Sequence, residues 1–141
     1  MIGYGTPALA DYRRDGILSA SPARLLTMLV ERLMTDLRRA EKAQSEQRWE
    51  DAGRELLHAQ DIVAELTSSL DAGAWDGGPQ LLSIYGYVTQ LLVRANVGRD
   101  PVATGEAIAL MTPLCEAWVE AARLASAASS SREEAGIAVV A

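Results

Sequence analysis

The stretch Leu25-Leu26-Thr27-Met28-Leu29-Val30-Glu31-Arg32-Leu33-Met34-Thr35-Asp36-Leu37-Arg38-Arg39-Ala40 decides the fold class. On a helical wheel, Leu25, Leu26, Leu29, Val30, Leu33, Leu37 and Ala40 share one side. Glu31, Arg38, Arg39 and Lys42 occupy the other. That period is the signature of a half-buried amphipathic helix. Ser21-Pro22 just before it supplies an N-cap serine and a proline at the first helical position.

Three more helices follow. In the second, over 48–72, Ala52, Leu56, Ala59, Val63, Leu66 and Leu70 oppose Glu50, Arg54, His58, Asp61 and Glu65. The third, over 79–97, is different. Leu81, Leu82, Ile84, Tyr85, Val88, Leu91, Leu92, Val93 and Ala95 cover an arc of about 200°, where a core stripe needs little more than about 100°. The fourth, over 101–126, carries a core stripe through Ala107, Leu110, Met111, Leu114, Trp118, Ala121 and Ala125. Ile108, Cys115, Val119 and Ala122 form a second stripe beside it. Pro113 falls mid-helix on the polar side, where it is expected to kink or break the helix.

Polar residues 44–48, the glycine-rich stretch 73–79 and Gly98-Arg99-Asp100-Pro101 separate the helices. In the last, Gly98 is expected to close one helix, and Asp100 with Pro101 to open the next. Four helices of similar length with short connections predict an all-α, antiparallel four-helix bundle over 21–126. Residues 1–20 read as an arm packing over it, and 127–141 as a disordered tail. Two helices then carry more apolar surface than the bundle needs. Either the third helix is central and the arm covers the rest, or an open groove receives a partner helix.

Composition narrows the function. The 141 residues include 24 alanines and no Phe, with aromatics at 5%, which disfavours sheet. A net charge of −6 argues against a nucleic-acid partner. No apolar run is long enough for membrane insertion, and the start lacks a basic-then-apolar leader pattern, so a cytoplasmic protein is expected. Glu55-Leu56-Leu57-His58 has the Glu-x-x-His spacing of di-iron bundles, yet the chain has one histidine and such a site needs two. The wheel puts His58 on the polar face, as a solvated side chain. Cys115, the sole cysteine, reads as a buried structural thiol. Trp75 reads as a loop tryptophan, either an exposed contact or folded onto the bundle end. No catalytic, cofactor or metal residues are expected, and nothing points to an enzyme.

An ordered set of residues carries a resemblance. It begins with Tyr12, Ser21-Pro22-Ala23-Arg24-Leu25-Leu26-Thr27-Met28-Leu29 and Ala59-Gln60-Asp61-Ile62-Val63-Ala64-Glu65-Leu66-Thr67-Ser68-Ser69-Leu70-Asp71. It continues through Gly77-Gly78, Leu81-Leu82-Ser83-Ile84-Tyr85-Gly86-Tyr87, Ala95-Asn96, Asp100 and Ala117-Trp118. Over about residues 12–125 the chain resembles the FliS family of flagellin-specific export chaperones. Val30 stands where that family usually has Tyr.

The resemblance implies a cytoplasmic four-helix bundle that binds the C-terminal segment of flagellin. Binding prevents premature polymerisation and readies the subunit for flagellar type III export. An export-gate component or a regulator is a further partner of such chaperones, and the expected state is a monomer or weak dimer. The expected partner-binding anchors are Tyr12, Ile17 and Leu18 in the arm, with Leu25, Met28 and Leu29. Tyr85, Leu92 and Asn96 join them by the resemblance, and Ile108 and Val119 from the second stripe. The rival reading is a helical module that uses the same surface to self-associate.

Overall fold

The structure is a computed structural model and describes residues 22–74 and 76–140. The arm, with Tyr12, Ile17 and Leu18, lies outside the described residues, as do Ser21 and Trp75. The described chain forms α1 (Pro22–Ser45), α2 (Trp49–Ser69), α3 (Gly78–Val97) and α4 (Pro101–Val140). These form the expected all-α four-helix bundle. α1 packs on α2 and α4, and α3 packs on the same two, so the helices close a ring. α3 is therefore not central. It is one of four equivalent walls, and its broad apolar arc must face outward as well as inward.

The core runs up the ring axis through Leu33 and Leu37 of α1, Leu56, Ile62 and Val63 of α2, Val88, Leu91 and Leu92 of α3, and Met111 of α4. The helix ends explain the tight turns. At the end of α1, Arg48 N–H donates to Ala43 O at 2.8 Å and Gln47 N–H to Gln44 O at 3.0 Å. Gln47 is left-handed, with φ 59°. This is the paired-bond Schellman ending, with Gln where glycine is usual. α3 ends with the longer-range of these two bonds and a left-handed residue in the same place. Asp100 N–H donates to Ala95 O at 3.1 Å, and Arg99 takes the left-handed place at φ 49°. Gly98 closes the helix as expected: it is the C-cap, at φ −89°, with its N–H on Arg94 O. Asp100 caps α4 as expected, its Oδ1 accepting from Val102 N–H at 3.0 Å and Ala103 N–H at 3.4 Å.

α4 passes through Pro113 without a break. Pro113 and Ala109 are exposed, so the Ala109 carbonyl that loses its donor turns to water. The helix also runs on to Val140, where the sequence reading ended it near residue 126. Alanine-rich composition and the absence of proline or glycine between Pro113 and Gly136 keep it helical. Its 40 residues span about 60 Å at about 1.5 Å per residue, twice the length of α3. From Arg123 to Arg132 every side chain is exposed. Truncation after Ser126 is therefore expected to move Tm by less than about 2 °C while lowering the ellipticity at the helix minimum. Thermal melts followed by circular dichroism check this.

Candidate partner-binding surface

Two clefts flank α4. Between α3 and α4, Gly77, Gln80, Leu81, Ile84, Leu114, Ala117 and Trp118 line a cleft of about 300 Å³. Only Gln80 brings a polar side chain to it. The indole N–H of Trp118 lies beside the Tyr85 hydroxyl without closing a hydrogen bond of standard geometry. Burial pushes the Tyr85 hydroxyl up, and Trp118 opposes that shift. Further along the same seam, Tyr87 donates from its hydroxyl to Glu106 Oε1 and ties the two helices together.

Between α1 and α4 lies a larger cleft of about 430 Å³. Met34, Cys115 and Val119 form its apolar floor, and Glu31, Arg38, Glu116 and Glu120 stand on its rim. Cys115 is buried, with its thiol 3.8 Å from Val30 O. Burial, then the Glu116 charge, pushes its pKa up to about 11. It is the inert structural thiol that the sequence suggests.

A third feature is a strip along α2 and α3. A Cβ on Gly53 would sit 3.2 Å from Asn96 Oδ1, so these residues face each other across the α2–α3 seam. Helical spacing carries the strip from Gly53 to Leu57, Gln60 and Ala64 on α2. On α3 it runs from Asn96 back through Val93, Thr89, Gly86 and Leu82. None of these is charged, and Leu57, Leu82 and Val93 are exposed.

The expected anchors are spread over the bundle. Leu25, Met28 and Leu29 sit in the first turns of α1, the first two half-buried and Leu29 in the core. Tyr85 and Leu92 are also core. Asn96 is half-buried at the opposite end, where α1 and α3 stop. Ile108 and Val119 are half-buried on α4, and Val119 reaches the α1–α4 cleft. Antiparallel helices put the start of α1 and the end of α3 at opposite ends, so these residues make no single patch. The reading passed over Ile84, Leu114 and Trp118 as site residues. The width of the third helix's arc was the available signal for Ile84.

His58 is not the solvated side chain that the wheel places on the polar face. It is only 14% exposed, and its Nδ1 hydrogen-bonds Asp36 Oδ2 across the α1–α2 seam. Asp36 is fully buried and also accepts from Arg32 Nε at 2.9 Å. Glu55 joins the cluster, its pKa raised by burial and then by the Asp36 charge. No group of three or more His, Cys, Asp or Glu side chains placed to hold a metal occurs among the described residues.

Glu55 makes stability depend on pH. Its folded pKa lies above its unfolded value, so the ionised form carries a penalty in the fold. That penalty is present above the folded pKa and is relieved as pH falls through it. Glu55→Gln is expected to raise Tm at pH 8 and to lose that advantage near pH 4. Melting curves across this range check the sign.

No helix among the described residues is long and apolar enough to cross a membrane. Residues 5–125 match the family described as flagellar protein FliS. The chain is 33% identical over 119 residues to the flagellar secretion chaperone FliS of Escherichia coli (strain K12), covering 82% of this chain and 88% of that protein. It is 26% identical over 110 residues to the flagellar secretion chaperone FliS of Bacillus subtilis (strain 168), covering 78% and 82%. An all-helical bundle with apolar clefts outside its core, matched along most of its length, belongs to the FliS family of flagellar secretion chaperones.

Proposed function

We propose that this chain is a cytoplasmic chaperone that holds the C-terminal segment of flagellin in the clefts beside α4. The held segment is kept from polymerising before type III export. The observation that carries this reading is the α3–α4 cleft, walled by Ile84, Leu114 and Trp118 and almost free of polar side chains. A segment that folds on binding spends about 2–5 kcal/mol on ordering. At about 25 cal/mol per Å², burying roughly 80–200 Å² of apolar surface offsets that. One or two large side chains seated against Ile84 and Trp118 supply that area, and the α1–α4 cleft extends it.

Titration calorimetry with a C-terminal flagellin peptide from the same organism tests the reading. Binding at micromolar peptide is expected, and Ile84→Ala is expected to weaken it about tenfold, the loss of roughly 1.4 kcal/mol of apolar contact. Absence of heat at tens of micromolar would overturn it. A tight dimer in sedimentation, unchanged by the peptide, would favour self-association instead.

A further inference from the structure

We infer that the end of the bundle where α1 and α3 stop is a docking subsite for a neutral side-chain amide, Asn or Gln, of the bound polypeptide. The inference rests on the flagellin reading for the identity of that polypeptide. The subsite is a cleft of about 250 Å³ with Gln44, Trp49, Glu50, Gly53, Asn96 and Arg99 among its walls. Gln44 is 3% exposed; its Nε2 donates to Ala95 O at 3.3 Å, and its Oε1 has no donor. A buried acceptor left unpaired is costly, so a ligand N–H delivered there is strongly favoured.

The charges select the ligand. The Arg99 guanidinium lies 5.5 Å from the centre of the Trp49 ring, a cation–π stack on one wall. Glu50 stands at the rim of the same cleft, its side chain 93% exposed and paired with Arg54 at 3.6 Å. A carboxylate has no N–H to give and would leave Gln44 Oε1 unpaired. An ammonium would meet Arg99. A primary amide donates to Gln44 Oε1 and accepts from Arg99 or Asn96, and carries no charge to repel either wall. Gly53 keeps room for the Asn96 amide, because a Cβ there would press on Asn96 Oδ1. Gln44 Oε1 is closed to water in this state, so a side-chain shift in the cleft wall must accompany entry of the ligand N–H. The surroundings suit a polypeptide. Val97 is 81% exposed and Val102 76%, the two most exposed large apolar side chains described, and they flank Arg99 in sequence. Apolar residues beside the inserted amide would cover them.

Two titrations of the full-length, ¹⁵N-labelled chain test this. In the first, N-acetyl-glutamine methylamide is added to tens of millimolar. Saturable shifts are expected at the Trp49 indole N–H and the Asn96 side-chain amide, with none from the glutamate analogue. Gln44→Met is expected to weaken binding about 3- to 10-fold, the worth of one hydrogen bond. If its melting curve shows a damaged fold, the half-buried Asn96→Ala replaces it, with the same expected loss.

In the second titration the flagellin peptide is used, intact and with each Asn or Gln replaced by Leu. One replacement is expected to lose affinity in the wild type and not in Gln44→Met. Equal response to the glutamine and glutamate probes, or none to either, overturns the subsite. Peptide binding that leaves Trp49 and Asn96 unshifted also overturns it and leaves the flagellin reading standing. Response to the glutamine probe without peptide binding does the reverse.

Discussion

Asp36→Ala is expected to cost about 1–3 kcal/mol of stability, the usual loss when a buried acceptor is removed and its donors are left without a partner. Asp36 is fully buried, and it is the acceptor for both Arg32 and His58. Without it, Arg32 loses its ion pair and His58 its ring partner, while His58 Nε2 already lacks one. A cavity at the α1–α2 seam adds to the loss. Urea unfolding with an unchanged m-value measures it. The double variant Asp36→Leu/His58→Leu is expected to recover most of the loss, because apolar groups of similar volume need no partners. A loss below about 1 kcal/mol for Asp36→Ala would mean that water reaches the cluster in solution, contrary to its burial.

Leu33→Ala is expected to cost about 2–5 kcal/mol, the range for emptying a closed leucine site. Leu33 is completely buried on the ring axis. The same truncation at Leu57, which is mostly exposed on α2, is expected to cost less than about 0.5 kcal/mol. The contrast matters because both positions are leucines within amphipathic helices. Equal losses would mean that Leu57 is covered in solution. Calorimetric melts of both variants against the parent decide this.

The sequence reading reached the fold because helical period depends only on neighbours along the chain. Leu25 to Ala40 announces α1 without reference to any other helix, and Asp100-Pro101 announces the start of α4. It missed His58 because a wheel shows which face a residue occupies but not what lies opposite. His58 falls on the flank of α2 that meets α1, and only the packed bundle brings Asp36 to it. At the end of α3 Gly98 is the cap that the sequence suggests, while the left-handed place falls on Arg99 beside it. Glycine tolerates that conformation most readily, but the register of the turn decides which residue receives it. The anchors were chosen from stripes on separate helices, so their mutual distances could not be read. Ile84 was visible as part of an overwide arc, while its meeting with Trp118 needed the α3–α4 seam.

The ring arrangement has a kinetic consequence. Three of its four interfaces join helices that follow one another in the chain, and only the seam of α1 with α4 links distant segments. Local contacts close cheaply, so α1–α2, α2–α3 and α3–α4 pairing is expected to run ahead of that final closure. The closing seam is where Cys115 sits against Val30. Its thiol, unreactive while the ring is shut, becomes a clock for how often the ring opens. The rate at which a disulfide reagent labels this single site, measured as a function of denaturant, separates seam opening from global unfolding.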